Sequence, residues 1–502
     1  MDNSNKPRVG LVSFTDDRLA LFSHDRELEI QRQHNYLKKY LSDNSFLVID
    51  PMLKLRGPKH ADWFGIHLHS EVRFCSDFIL KEKVDCLIVE SHFWTPPMFV
   101  IELIRNTNVP VLIYAERYIS SLTAVGAGLH QCVVNSHAIT HERFQGKDFK
   151  KIPVWVKGVS AASKMKKISA MLWGGSYCLR MEHLQDDISK LKTIFIGDIL
   201  NEDQSVILLK SFNILEKSPN RVDSFIAWIN KNGAKITFDD KKLTNEILRK
   251  QLALVLAARD RLAELKEENI EGISIKCQHE LSVDYGITAC TIPAFLPFNE
   301  DSEGARDIIP TICEGDIKGL LSLMLLHKIN PDIPPLFGDL MFIKNDYIRI
   351  SNCGAASVFW ACNSCDKNQI LEGVNIKPTS HGKAGAAIGY FSKTGKVTVC
   401  RLTRVKDKYY MQLGIGESLP IEGTIKDEIM GTFGSEFPHM ALKMDVKLEN
   451  FVNVVGGNHP CITLGDCIDE VKYACREFGI PVIRIDSDEE INRYYNQVLR
   501  AD

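Results

Sequence analysis

The stretch from Pro310 to Asp339, PTICEGDIKGLLSLMLLHKINPDIPPLFGD, limits the folds open to this chain more than any other. It opens on two carboxylates in a tight turn, Glu314 and Asp316, and continues as GLLSLMLL, an apolar run of helical length. Asn330-Pro331 and Pro334-Pro335 break that run. Leu336-Phe337 then delivers Asp339 after Gly338. Strand end, helix and second strand end in this order predict Glu314 and Asp339 on one edge of a sheet, where parallel sheets gather functional side chains. A third group, His459, lies in GGNHP near the end of the chain. Two carboxylates and an imidazole form a hard ligand set, suited to Mn²⁺ or Mg²⁺ more than to structural zinc.

The rest of the chain is consistent with a layered α/β protein. Arg8–Phe14, Phe46–Ile49, Val84–Val89 and Val109–Tyr114 read as buried parallel strands, with helical patterns such as Glu27–Leu41 between them. A basic linker, Lys164-Met165-Lys166-Lys167, leads into ISAMLWGG, and KTIFIGD (Lys192–Asp198) is expected to supply the next strand. Lys241–Glu268 carries the longest helical signal, and IEGISIKCQHE a strand ending at Cys277-Gln278. After about residue 345, YIRISNCG, KVTVCRLTRV, YYMQLGIGES and NFVNVVGGNHPCITLGD are strand-like. The tail returns to helix at Cys467–Phe478 and strand at Pro481–Ile485. At 502 residues one core cannot serve the whole chain. The expected architecture is α/β in three domains: two doubly wound, Rossmann-like N-terminal domains (1–167 and 168–345) and a β-rich, barrel-like C-terminal domain (346–502).

Composition excludes several functions. A net charge of -3 offers no electrostatic attraction to nucleic acid. No apolar run reaches the roughly 18 residues a membrane helix needs, and MDNSNKPRVGLVSF lacks the pattern of a secretory leader. Fourteen cysteines scattered through apolar segments fit reduced, buried thiols, so a cytoplasmic location is expected.

A glutamate after a strand is ordinarily a solvated cap, and a lone histidine is ordinarily structural. Glu314, Asp339 and His459 stand apart because each follows or precedes an apolar strand beside glycines that permit close approach. Gly126-Ala127-Gly128 lacks the third glycine of a dinucleotide fingerprint. Cys362 and Cys365 have no second pair at zinc spacing. His67, His69 and Glu71 in GIHLHSE read as a partly exposed strand or loop.

In their order, TICEGDIKGL, PLFGDL, RISNCGAAS, KVTVCRLTRV and VVGGNHPCITLGD resemble the L-fucose isomerase and L-arabinose isomerase superfamily, and the fucose branch more closely. The resemblance implies a divalent metal, usually Mn²⁺ with Mg²⁺ or Co²⁺ as substitutes, held by Glu314, Asp339 and His459. It implies substrate contacts from Asn458, Cys353 and Gln278. It also implies a hexamer or trimer in which a neighbouring subunit completes the pocket; Arg18 and Trp94 fall where those contributions would arise. Departures concern the sugar-facing wall. The family's C-domain tyrosine has no counterpart in Ala384–Gly389, a tryptophan is replaced by Phe433 or Phe437, and Asn352 lies near the place of a missing histidine.

The expected activity is metal-dependent aldose–ketose isomerisation of a monosaccharide, a deoxy-hexose or pentose of the L-fucose, D-arabinose or L-arabinose type, through an enediolate. Glu314 and Asp339 would be both ligands and acid/base pair, with His459 anchoring the metal. A non-catalytic sugar-binding relative, or an isomerase of another substituted aldose, is the alternative.

Overall fold

Short β-branched runs at the start of the chain pair as their composition favours. Arg8–Phe14 (β1), Leu47–Ile49 (β2), Cys86–Ser91 (β3), Val111–Ala115 (β4) and His141–Gln145 (β5) form a parallel sheet in the order β2-β1-β3-β4-β5. The computed structural model describes residues 6–55, 62–117, 119–131, 133–134, 137–138, 141–344, 346–361 and 370–500; Cys362 and Cys365 lie outside them. Two compact units result: Met1–Lys164 with Lys472–Phe478, and Met165–Val471 with Gly479–Asp502.

In the first unit, helix His24–Asp43 (α1) buries Ile30, Leu37 and Leu41 at helical spacing. β2 is half-buried rather than fully buried, as an edge strand should be. Gly126-Ala127-Gly128 sits within helix Ile119–His130. Of the set His67, His69 and Glu71, His67 lies in the loop expected, but His69 and Glu71 do not: helix His69–Lys81 begins there. The Glu71 carboxylate accepts hydrogen bonds from the backbone N–H of His67 (3.0 Å) and Leu68 (3.2 Å). That satisfies donors every helix start leaves open.

The second unit holds a four-stranded parallel sheet. Its strands Ser169–Trp173 (β6), Asp198–Glu202 (β7), Ile270–Ile275 (β8) and Thr311–Cys313 (β9) run in the order β9-β8-β6-β7. Lys192–Asp198 is not the strand expected: Asp187 caps a helix, Ile188–Ile194, and β7 starts only at Asp198. The long helix runs from Asn245 to Glu264 (α2) and starts later than Lys241 because the Asp239 carboxylate accepts from the N–H groups of Lys241, Lys242 and Leu243. Helix Ile317–Ile329 (α3) is buried all round except at His327 and Lys328, as its unbroken apolar run requires. Asp316 caps it, accepting from Gly319 N–H at 2.9 Å.

An eleven-stranded, mostly antiparallel sheet completes this unit. It includes Leu336–Phe337 (β10), Asp339–Lys344 (β11), Tyr347–Ser351 (β12), Gly395–Val405 (β13), Lys408–Leu419 (β14), Pro438–Met444 (β15) and Cys461–Leu464 (β16). The segment NFVNV is a helix, Leu448–Val454, rather than a strand; Phe451 and Val454, three apart, face inward together. Glu314 and Asp339 do not share one sheet edge. β9 ends the parallel sheet before Glu314, whereas β10 pairs antiparallel with β16 in the larger sheet and Asp339 opens β11. The chain is thus α/β with two parallel sheets and a β-rich C-terminal region.

Candidate active site

Antiparallel register creates half of the site. Leu336 pairs with Ile462 and Phe337 with Cys461. Continued by two residues, this register sets Asp339 opposite His459, and Leu340 N–H donates to the Asn458 carbonyl at 3.0 Å as the continued ladder requires. Asp339 Oδ1 lies 3.3 Å from His459 Nε2.

The other half comes from the carboxyl end of β9. There the chain turns sharply, with Glu314 at φ +69° and Gly315 at φ +73°. A Cβ on Gly315 would lie 2.4 Å from the Tyr177 backbone nitrogen, so only glycine fits. The turn brings Glu314 Oε2 to 3.1 Å from His459 Nε2. Three side chains from distant parts of the chain therefore meet at one ring nitrogen. The His459 ring is fully buried, the Glu314 side chain 13% exposed and that of Asp339 30%, so the cluster opens to solvent on the Asp339 side.

The imidazole is held from behind. Its Nδ1–H donates to Asp316 Oδ2 at 2.8 Å, and Arg401 grips the same carboxylate through two contacts of 2.5 and 3.0 Å. Arg401 also donates to the His459 carbonyl at 3.3 Å, and the Phe337 ring meets the imidazole edge-on at 5.7 Å. Burial opposes charge on Asp316, but Arg401 and His459 hold its carboxyl well below the usual range. With Nδ1 donating to Asp316, Nε2 faces two carboxylates, and a bound cation would take the place of its proton. Both His459 Nε2 and Glu314 Oε2 are buried without a hydrogen-bond partner. Burial pushes Glu314 up to about 7. Burial disfavours the charged imidazole too, yet Asp339, Asp316 and Glu314 lift His459 well above its ordinary value. An imidazole nitrogen and two carboxylates around one point suit a cation, and the donor set fits a hard divalent ion.

Residues 350–486 match the family described as L-fucose isomerase, C-terminal domain. This match supports the resemblance to the L-fucose and L-arabinose isomerase superfamily over the β-rich C-terminal region. It is similar to a sulfoquinovose isomerase of Alkalicoccus urumqiensis, at 24% identity over 44% of this chain and 46% of that protein. It is likewise similar to a sulfoquinovose isomerase of Priestia megaterium, at 24% identity over 32% of each chain. The chain spans less than half the length of the curated relatives it matches.

The remaining residues implied by the superfamily resemblance are placed as follows. Asn458 joins the cluster, donating to Asp339 Oδ1 at 2.8 Å while its own Oδ1 accepts from His183 Nε2 at 3.0 Å. Gln278 follows β8 and accepts a hydrogen bond from the Ser282 hydroxyl. Cys353 lies in the Asn352-Cys353-Gly354 turn, where its carbonyl accepts from the Cys290 thiol at 3.5 Å. Arg18 and Trp94 belong to the first unit; Arg18 is paired with Asp16 at 2.5 Å, and Trp94 is 49% exposed. Asn352 is occupied structurally, accepting from Gly354 and Ala355 N–H. Phe433 is exposed, Phe437 is buried, and both lie against His381.

Sequence reading noted Asp316 only as part of the turn and missed Arg401 and His183. Arg401 had a visible signal: a charge inside the apolar strand run KVTVCRLTRV must find a buried partner. His183 had none, lying on a short turn far from Asn458 in sequence.

Proposed function

We propose that this protein is an aldose–ketose isomerase whose reaction is run by Glu314 and Asp339 with a divalent cation, Mn²⁺ by preference. The observation that carries the reading is the convergence of Glu314 and Asp339 on His459 Nε2, at 3.1 and 3.3 Å.

The bound cation would act as a Lewis acid on the sugar's neighbouring oxygens, making the C2 proton removable and stabilising enediolate charge. Glu314, Asp339 and His459 would hold it. One carboxylate takes the proton from C2 and returns it at C1, while the other serves the proton exchange between the two oxygens. Their placement on separate sheets puts the two groups on independent supports, so a planar intermediate can be flanked by both. Asn458 fixes Asp339 through its amide, and Asp316 keeps His459 in the tautomer that turns a lone pair to the cation.

The sugar is proposed as a deoxy or otherwise substituted aldose. The relatives' names, sulfoquinovose isomerase, favour a hexose substituted at its far end over an unmodified pentose. A cytoplasmic homo-oligomer, in which Arg18 and Trp94 reach a neighbour's pocket, is part of the same proposal.

The test is a substrate panel. The purified chain is incubated with L-fucose, D-arabinose, L-arabinose and sulfoquinovose, with Mn²⁺ or with EDTA, and ketose is measured. Ketose in the Mn²⁺ arm alone supports the reading. Ketose formation indifferent to EDTA, or sugar binding without turnover, removes it.

A further inference from the structure

The carboxyl ends of the parallel strands carry sulfur as well as carboxylate. Cys178 lies in the loop after β6, Cys277 two residues beyond β8, and Glu314 directly after β9. The two Sγ atoms and a Glu314 carboxylate oxygen all lie within 4.8 Å of one another. One tetrahedral ion with bonds of about 2.3 Å to sulfur and 2.1 Å to oxygen would set such ligands roughly 3.5–4 Å apart, so small side-chain rotations close the site. The main chain ties these segments together: Cys178 N–H donates to the Glu314 carbonyl at 3.0 Å, and Glu314 N–H to the Ile275 carbonyl at 2.8 Å. Both cysteines are buried and neither is in a disulfide.

We propose that Cys178, Cys277 and Glu314 form a second cation site, for a thiophilic divalent ion of the Zn²⁺ or Cd²⁺ type. Glu314 belongs to both sites. On one side it faces a hard set with Asp339 and His459; on the other it faces two thiols, the ligands that select soft and borderline metals. Behind Cys277 the wall is sulfur and hydrocarbon: Cys290, Cys313 and Cys353 line a recess with Ala289, Pro293 and Ala355, too small to hold a water. No charged side chain lines that recess. As the ion binds, each thiol gives its proton to solvent and the metal takes the two thiolates and the carboxylate, with a fourth position open. An ion held there occupies Glu314 and excludes it from the Mn²⁺ set. This competition, but not the thiol site itself, rests on the function proposed above.

The experiment titrates the full chain with Cd²⁺ in the absence of sugar and reads the ultraviolet thiolate-to-cadmium charge-transfer band. The wild-type chain should show the band, and Cys178→Ser and Cys277→Ser should each weaken Cd²⁺ binding by about tenfold or more. Asp339→Asn, which removes only a Mn²⁺ ligand, should keep it. Alanine replaces serine at either cysteine where circular dichroism shows the serine variant unfolded. A wild-type chain without the band, or a band undiminished in both cysteine variants, overturns the site. Excess Mn²⁺ should raise the apparent Cd²⁺ dissociation constant; independence from Mn²⁺ overturns the shared carboxylate. Failure of the isomerase reading leaves the Cd²⁺ band untouched, and failure of the thiol site leaves Mn²⁺-dependent ketose formation untouched.

Discussion

Asp316 and His459, 143 residues apart in sequence, are joined by a buried 2.8 Å hydrogen bond from Nδ1 to Oδ2. The bond aims the imidazole's other nitrogen at Glu314 and Asp339, so Asp316 positions the cluster without being one of its converging groups. Its charge is balanced by Arg401, itself fully buried.

Two substitutions separate these roles. Asp316→Asn keeps the shape but loses the charge, and should weaken Mn²⁺ binding by about 10–100-fold, the scale for partners behind a metal-ligating histidine. Arg401→Met takes the guanidinium from the buried Asp316 carboxylate, leaving it only His459 and the Gly319 N–H, and should cost about 3–5 kcal/mol of stability. Metal titration and urea unfolding check the two. Unchanged Mn²⁺ affinity in D316N would remove Asp316 as a positioning residue.

How much of this was open to sequence reading follows from the kind of interaction. β1, β3, β4, β6 and β8 could be found because each is a local apolar run, and α3 because its own residues need burial. Glu314, Asp339 and His459 stood out locally, each beside glycines at the end of an apolar run, and the family resemblance joined their separate motifs into one ligand set. The pairing of β10 with β16 was not legible, since two-residue strands so far apart in the chain carry no periodicity of their own. For that reason one sheet edge was expected where two sheets meet. The thiols of Cys178 and Cys277 were equally hidden, because a buried cysteine reads as a small apolar residue whatever it faces.

Glu314→Gln removes a proton acceptor while preserving size. Ketose formation should fall by about 10²–10⁴-fold, the usual contribution of a general acid or base. Because Gln is also a poorer ligand, the rate is read at saturating Mn²⁺. Near-normal turnover there would take the proton-transfer role away from Glu314.

Asn458 bridges His183 and Asp339. Asn458→Ala leaves the Asp339 carboxylate without its amide donor, in a place where 30% exposure lets water substitute. The expected result is a lower kcat with protein stability changed by less than about 1 kcal/mol, the net worth of one part-buried hydrogen bond. Full unfolding of N458A would mean that the amide holds the fold rather than the site.

His34 gives a pH test in the first unit, away from the isomerase question. It is 1% exposed, with Nε2 3.2 Å from Asp50 and Nδ1 3.2 Å from Glu90. Ser13 lies 2.8 Å from Nδ1, and Lys38 pairs with Asp50 at 2.8 Å. Burial opposes the charged ring, but Asp50 and Glu90 together raise it to about 9. A folded value above the unfolded 6.5 means stability that is whole below about pH 6.5 and lost as pH rises through 9, of order 3 kcal/mol for a shift of this size. His92, which burial pulls below its ordinary value, acts in the opposite window and weakens the fold only as pH falls below about 6.5. Urea unfolding between pH 7 and 9, below the range where buried thiols such as Cys461 and Cys475 add their own loss, should therefore show a decline that His34→Gln, which cannot take up the proton, reduces. The same slope in both proteins would show that His34 is neutral in the folded chain and that its two carboxylates are balanced elsewhere.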